Sequence, residues 1–299
     1  MIPESKVRGM GFHPSEHFSP STSDEVCSLL VQYGKHARII AGGTAIYELA
    51  KRGLADEVKQ LISLRNMSLN YVHRKVEGVH IGATTTLAEI LKAPEILNDT
   101  SLRVVSEAVR EIRPNQVRNV ATIGGEICTS LPLLDLPPAL LAVDTILIVQ
   151  GTEGLRRIPL SEFLVDFFLN ALKVGEFLVE VLIPNQPLHS GSAFMKFGRT
   201  AYDFNLVNVA TRLSFGSDNT CNDVRIYLGG IGRIPMHAIA SESELRDRRV
   251  DDRTIRKASE VLEEFRAIPQ IHGNAEYKRD IARVLVRNCV KRAVMVANP

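Results

Sequence analysis

The sequence predicts an α+β chain of two domains, and three observations carry that prediction. Its 299 residues suffice for about two domains of ordinary size. A strand, a glycine-rich turn, a helix and a second strand follow one another over residues 37–64, which predicts a small βαβ unit. Beyond residue 193, strands come first and helices follow, an order typical of an α+β domain. The polar, turn-rich segment 185–192 predicts the boundary, with domains at 1–187 and 188–299.

The composition is that of a globular protein, with 45% hydrophobic and 23% charged residues. The net charge is only +2 and no basic stripe stands out, so we expect no nucleic-acid partner. No run reaches the roughly 18 consecutive apolar residues of a membrane helix. The first twenty residues carry charge and lack an apolar stretch, so we expect no secretory signal and a cytoplasmic location.

Cysteine and histidine positions give no sign of a metal site. The four cysteines lie far apart, which excludes a CxxC-type metal or iron–sulfur loop and favours buried, inert thiols. They are Cys27, Cys128, Cys221 and Cys289. The eight histidines are scattered, so surface or core roles are favoured over metal ligation.

The first domain is expected to alternate helices and strands. Residues 22–34 predict an amphipathic helix that begins with a capping box between Thr22 and Glu25. A helix ended by Pro114 is expected from residue 102. The remaining predicted helices are 46–52 and 86–91, and the predicted strands are 37–40, 60–64, 78–84, 145–150, 156–159 and 177–184.

The second domain is expected to begin with strands near 193–199, 204–215 and 223–229. Helical pattern dominates from about 241 to 297. The segment 277–296 predicts a core helix, with a partner-binding helix as the alternative. The face expected to be buried carries Ile281, Val284, Leu285 and Cys289.

Two Gly-Gly segments, predicted as turns within 41–45 and 121–128, are candidates for an anion site. Glycine permits positive φ and close approach of a ligand, and successive N–H groups in such turns attract anions. A helix amino terminus adds partial positive charge. With hydroxyls at Thr44, Thr122 and Thr129, the two turns together suit a diphosphate, and purely structural turns are the alternative. The first turn is neither a Walker loop nor a G-x-G-x-x-G fingerprint.

Asp135 precedes an apolar segment and has two interpretations. It is a helix cap, or its carboxylate accepts hydrogen bonds from the hydroxyls of a ribityl or ribose chain.

Several segments together resemble the FAD-binding subunits of the molybdenum hydroxylases. They occur in order over nearly the whole chain, at 39–53, 81–90, 116–128, 137–145, 172–184, 194–210 and 227–236. The resemblance implies a PCMH-type FAD-binding domain of two α/β subdomains, at about 1–65 and 66–187. It implies a C-terminal domain of antiparallel sheet with helices, as in carbon monoxide dehydrogenase flavoproteins, with FAD between the two domains.

The resemblance also implies site residues. Two diphosphate segments map onto Ala41, Gly42, Gly43, Thr44, Ala45 and Ile46, and onto Thr122, Ile123, Gly124, Gly125, Glu126 and Thr129. The acidic residue maps onto Asp135, an apolar ring contact onto Leu178, and a lysine near the isoalloxazine onto Lys196, for which a solvated strand position is the alternative.

The chain departs from the family pattern at several positions. Ala45 stands where the family often has Asp, and Glu126 where it usually has Asn. A carboxylate would repel a diphosphate, so Glu126 must point away, be paired or weaken binding. Leu131-Pro132 replaces the usual Ser-Pro, and Arg199-Thr200 replaces Arg-Arg.

The function implied by the resemblance is electron transfer. Electrons would pass from the [2Fe–2S] clusters of a partner subunit through FAD to NAD, a quinone or oxygen. The implied partners are a molybdenum-cofactor large subunit and a [2Fe–2S] small subunit, as a dimer of heterotrimers. No histidine lies within either Gly-Gly segment, so we expect noncovalent FAD. We also expect no catalytic acid or base in this subunit. A stand-alone PCMH-type flavin oxidoreductase and a flavin-free regulatory homologue are the alternatives.

Overall fold

The computed structural model describes residues 12–264, 267–269 and 273–297. Residues 1–11 lie outside this range, and with them the larger part of the amino-terminal segment for which no secretory signal is expected. The described residues form sheets of three, five and four strands and one two-stranded hairpin. No helix among them is long and apolar enough to cross a membrane.

The amino-terminal part is the predicted βαβ unit, extended by one strand. Its parallel sheet has the order β1-β3-β2. The elements are β1 (Glu16–Phe18), α1 (Ser23–Tyr33), β2 (Ala37–Ile40), α2 (Thr44–Lys51) and β3 (Gln60–Ser63). The capping box between Thr22 and Glu25 is present. Helix α2 begins two residues earlier than predicted, because Gly43 takes φ +76° and serves as its N-cap.

A five-stranded antiparallel sheet follows, in the order β4-β5-β10-β6-β7. Its strands are β4 (Val72–Lys75), β5 (Gly78–Gly82), β6 (Ile146–Gly151), β7 (Gly154–Pro159) and β10 (Phe177–Pro184), and the hairpin is β8 (Leu164–Asp166) and β9 (Leu169–Asn170). The helices are α3 (Leu87–Ile90), α4 (Pro94–Leu97), α5 (Arg103–Glu111), α6 (Asn115–Arg118), α7 (Ile123–Cys128), α8 (Leu136–Ala142) and α9 (Leu160–Phe163). The buried sides of α3, α5, α7 and α8 share one core with this sheet.

The second Gly-Gly segment is not a turn, contrary to the sequence prediction. Gly124 and Gly125 lie in the first turn of α7, and Thr122 caps that helix by accepting a hydrogen bond from the Gly125 N–H at 3.1 Å. The helix forms despite two glycines because a capping threonine and the buried Ile123 and Ile127 anchor it.

The carboxy-terminal part is the predicted antiparallel sheet followed by helices, and the α+β class is confirmed. Strands β11 (Ser190–Phe197), β12 (Val207–Phe215), β13 (Cys221–Gly229) and β14 (Met236–His237) pair in sequence order. The helices are α10 (Ile239–Ser243), α11 (Asp252–Glu260) and α12 (Ala275–Ala297), so the helical segment predicted from 241 is interrupted. The predicted boundary falls between β10 and β11.

Helix α12 packs on β11 and β12, but its buried face differs from the predicted one. Leu285 and Cys289 are buried as expected, whereas Val284 is 50% exposed. Ala282 and Val286 take part in the buried stripe instead. A rotation of one residue around a 3.6-residue turn is enough to move Val284 out of the core.

Charged side chains join the two parts of the chain across a buried contact. Arg212 of β12 is almost fully buried and donates from Nε to the Ala142 carbonyl at 3.0 Å. Its Nη2 donates to Asp144 at 3.0 Å and to Asp223 at 2.8 Å. Since Ala142 and Asp144 belong to the first part, this network fixes α8 against the four-stranded sheet.

Candidate functional site

A cleft of about 620 Å³ opens between α2, α7 and the first strand of the four-stranded sheet. This volume lies within the roughly 300–1,000 Å³ of small-molecule sites. Nine of the predicted site residues line the cleft: Gly42, Gly43, Thr44, Ala45, Gly125, Glu126, Thr129, Asp135 and Lys196. Residues far apart in the sequence therefore converge on one site.

The first Gly-Gly segment forms a turn whose amide groups are free for a ligand. The first hydrogen bond of α2 runs from the Tyr47 N–H to the Gly43 carbonyl at 3.0 Å. The N–H groups of residues 44–46 have no acceptor within the described part of the chain. With the positive end of the helix dipole behind them, these groups suit an anion.

Gly42 has a different role from Gly43. A Cβ atom on Gly42 would lie 1.8 Å from the Val120 carbonyl oxygen, so the turn packs directly against the segment that leads into α7. At Gly43 a Cβ would meet only Ile40, but φ is +76°, which favours glycine.

The second Gly-Gly segment offers no free amide groups at the start of α7. The N–H groups of Ile123 and Gly124 donate to the carbonyls of Thr85 and Ala83, each at 3.0 Å, and that of Gly125 donates to Thr122. The prediction of two turns that grip an anion from two sides is therefore corrected to one turn with free amides. The amide groups of the second segment are bonded within the protein, and its residues Gly125 and Glu126 line the wall of the cleft.

Asp135 and Lys196 form a buried ion pair in the cleft. Lys196 Nζ lies 2.6 Å from Asp135 Oδ2, and the side chains are 7% and 5% exposed. The amides of Asn208 and Asn205 donate to Asp135 Oδ1 at 3.0 and 3.3 Å. Burial raises the pKa of Asp135, and the charge and hydrogen bonds of these three partners act against that rise.

Two of the alternatives considered from the sequence do not hold: a capping role for the Asp135 side chain and a solvated position for Lys196. Asp135 stands at the N-cap position of α8, yet its side chain makes no capping hydrogen bond. Lys196 is not a solvated strand residue, because β11 turns its side chain into the cleft toward Asp135.

Glu126 lines the cleft beside this pair and is only partly exposed. Its carboxyl has no hydrogen-bond or ion-pair partner within residues 12–264, 267–269 and 273–297. Burial, followed by the nearby Asp135 carboxylate, raises the pKa of Glu126 to about 8, against the opposing charge of Lys196. Both effects favour the neutral acid over the carboxylate at this position.

Six predicted residues do not line the cleft: Ala41, Ile46, Thr122, Ile123, Gly124 and Leu178. Most of them adjoin residues that do. Leu178 is different, because it lies on the central strand β10, 3% exposed, within the main core. The ring contact expected at Leu178 has no support from the cleft geometry.

The cleft also contains residues that the sequence patterns did not indicate. Arg52 and Arg113 add positive charge, and Phe168, Tyr202 and Phe204 add aromatic rings. Phe168 takes φ +57°, which is uncommon for a bulky residue. The adjacent Phe167 and Phe168 between two predicted strands were the available signal, but nothing local shows that one of them faces a ligand site.

Comparison with known proteins identifies the family of this chain from matches over most of its length. Residues 12–186 match the family model described as FAD binding domain in molybdopterin dehydrogenase, and residues 192–293 match the CO dehydrogenase flavoprotein C-terminal domain. The chain belongs to the FAD-binding subunits of the molybdenum hydroxylases. FAD is therefore its cofactor, and this flavoprotein subunit is part of an oxidoreductase.

Several relatives of this flavoprotein subunit are similar over nearly their full length. The nicotine 6-hydroxylase medium subunit of Paenarthrobacter nicotinovorans is 30% identical over 92% of this chain and 95% of its own. The 6-hydroxypseudooxynicotine dehydrogenase complex subunit alpha of the same organism is 29% identical over 91% of both chains. A carbon monoxide dehydrogenase structure from Hydrogenophaga pseudoflava superposes with a TM-score of 0.90 at 26% identity, over 95% of this chain and 98% of that one.

The residues of the flavoprotein subunit fit its cofactor. FAD carries a diphosphate, and the cleft offers free amide groups at the start of α2 together with a glycine at positive φ. FAD also carries two planar ring systems, and the cleft offers aromatic side chains for them.

Proposed function

We propose that this chain passes electrons from the [2Fe–2S] clusters of a partner subunit, by way of FAD, to NAD, a quinone or oxygen. The observation that carries the proposal is a cleft that combines an anion-binding turn with aromatic walls, as a site for FAD requires. Within the described ranges, no three His, Cys, Asp or Glu side chains are grouped to hold a metal. FAD supplies the redox chemistry, since it exchanges electrons singly or in pairs.

The proposed assembly contains a molybdenum-cofactor large subunit and a [2Fe–2S] small subunit, as a dimer of heterotrimers in the cytoplasm. Relatives carry the names medium subunit and medium chain, which support a complex of several chains. The proposed donor belongs to another chain, since the four cysteines of this sequence are too far apart to form an iron–sulfur loop. We also propose that the domain boundary lies between residues 187 and 188, in the segment that connects β10 to β11.

We propose separate roles for the cleft residues. The amide groups of Thr44 and Ala45 hold the diphosphate, and Gly43 allows its close approach. Gly125 borders the cofactor without a side chain of its own. The ion pair of Asp135 and Lys196 places one charged acceptor and one charged donor near the polar groups of the ribityl chain and the isoalloxazine. The remaining predicted residues support these groups: Ala41, Gly42, Ile46, Thr122, Ile123, Gly124 and Thr129.

The flavin is expected to be noncovalent, because no histidine or cysteine is among the residues that line the cleft. Acid precipitation of the purified chain should release the yellow colour into the supernatant at about one FAD per chain. Colour that stays in the pellet would contradict this expectation. A colourless native complex would instead favour the flavin-free regulatory homologue.

The isolated chain is expected to oxidise no organic substrate. Anaerobic mixing with the substrate of the assembled complex should leave its flavin absorbance unchanged, whereas a chemical reductant should bleach it. In the assembled complex the substrate should bleach the flavin only when the iron–sulfur subunit is present. Rapid bleaching of the isolated chain would refute the electron-transfer proposal and favour a self-sufficient oxidase.

A further inference from the structure

The charges around the cleft leave Glu126 without a counterion. Lys196 is held by Asp135 at 2.6 Å. The other basic residues of the lining lie near acids of their own: Arg52 is 3.6 Å from Glu48, and Arg113 is 4.0 Å from Glu111. The titratable groups around the same cleft are Glu48, Arg52, Arg113, Glu126, Asp135, Lys196, Tyr202 and Asp203.

An ionised Glu126 would therefore be a second, unpaired carboxylate next to Asp135, in a site that must hold an anionic cofactor. Burial without a partner and repulsion by a like charge both disfavour the charged form. Glu126 follows Gly125 in the first turn of α7, and both line the cleft with Thr44 and Ala45 of the anion-binding turn. Its carboxyl is thus available to a ligand in that cleft.

We propose that Glu126 binds FAD as a neutral carboxylic acid that donates its O–H to a phosphate oxygen of the cofactor. This inference rests on the proposed function, since it requires FAD in the cleft. A protonated carboxyl group has one O–H donor, and hydrogen bonds to an ionised acceptor are among the stronger ones. The residue that would repel the diphosphate as a carboxylate holds it as an acid.

The proposal makes FAD binding depend on pH in one direction. The pKa of Glu126, raised to about 8 in the free chain, rises further beside a bound phosphate, because the added charge is negative. Well below this pKa the acid is already protonated, so binding takes up almost no proton. Above pH 8 the free chain has lost that proton and must regain it on binding, so affinity falls by up to about tenfold per pH unit.

The test is a titration of the FAD-depleted full chain with FAD between pH 6.5 and 9.5, in which calorimetry measures the binding. In the native chain the dissociation constant should be constant up to about pH 8 and then rise. Calorimetry in two buffers of different ionisation enthalpy should show uptake approaching one proton at pH 9 and none at pH 7. Glu126→Gln keeps a donor without the titration, so its affinity should not fall above pH 8.

Glu126→Ala tests whether the hydrogen bond donated by residue 126 contributes to FAD binding, in addition to the absence of a negative charge. It removes the donor together with the charge, so at pH 7 it should bind FAD about tenfold more weakly than Glu126→Gln. Equal affinity of these two variants would overturn the donor role. A native chain with no proton uptake at pH 9, or with the same pH profile as Glu126→Gln, would overturn the proposal.

Two further results have a defined meaning. If Glu126→Gln does not fold, proton uptake by the native chain, compared with Glu126→Ala, decides the question. If the native chain binds no FAD at any pH, the proposed function fails rather than the role of Glu126.

Discussion

Replacing Lys196 with methionine is expected to lower the free energy of unfolding by about 3–5 kcal/mol, because it leaves Asp135 buried without its cation. The pair is 2.6 Å apart and both side chains are almost fully buried. Asp135 keeps two amide donors, Asn205 and Asn208, so the loss should lie toward the lower end of that range. Urea unfolding of the purified chain, followed by circular dichroism, measures the change.

The matched control is Lys291→Met. Lys291 lies at the same distance of 2.6 Å from Asp252, but the two side chains are 45% and 81% exposed, so the loss should stay below about 1 kcal/mol. The double variant Lys196→Met with Asp135→Asn should lose less than the sum of its single variants, because it leaves no unpaired charge. Strict additivity, or equal losses for Lys196→Met and Lys291→Met, would show that the buried pair does not stabilise the fold.

Replacing Gly125 with valine is expected to weaken FAD binding about ten- to hundredfold while the chain stays folded. The new side chain lies at the cleft wall, and this loss of affinity corresponds to about 1.4–2.8 kcal/mol. A Cβ at Gly125 would contact only the Thr122 hydroxyl, at 3.1 Å, and φ is not positive. Titration with FAD, monitored by quenching of flavin fluorescence, gives the affinity.

The neighbouring glycine provides the contrast. A Cβ on Gly124 would lie 2.7 Å from the Ala83 carbonyl oxygen, so Gly124→Val should destabilise the fold itself. Gly125→Val should instead stay folded and be destabilised less than Gly124→Val, because its Cβ would press only on the Thr122 hydroxyl. Full FAD affinity in Gly125→Val would mean that this face of α7 does not border the cofactor.

Local features were predictable because their causes are local. The capping box of Thr22 and Glu25 and the parallel pairing of β2 with β3 follow from residues close in sequence. The second Gly-Gly segment was misjudged because a pair of glycines usually breaks a helix. The packing of α7 against Ala83 and Thr85 overrides that preference, and no local pattern contains it.

Nine residues of the cleft could be predicted from the sequence, but the contacts between them could not. The spacing of Asp135 and Lys196 does not indicate an ion pair, since 61 positions separate them and the contact depends on how the four-stranded sheet packs against α5 and α8. The electrostatic state of Glu126 is likewise a property of the assembled cleft, because burial and Asp135 set it together. The expectation that Glu126 would repel a diphosphate holds only for an ionised Glu126 side chain.

The position of β10 determines when the five-stranded sheet can form during synthesis. This strand occupies the centre of the five-stranded sheet, yet it leaves the ribosome after all of its sheet partners. Until residue 184 has emerged, β5 and β6 each present an unpaired row of N–H and C=O groups toward the place that β10 will fill. Exposed strand edges of this kind pair with other chains, and contacts distant in sequence form slowly. The nascent chain therefore passes through an interval of aggregation risk that ends only when its central strand is inserted.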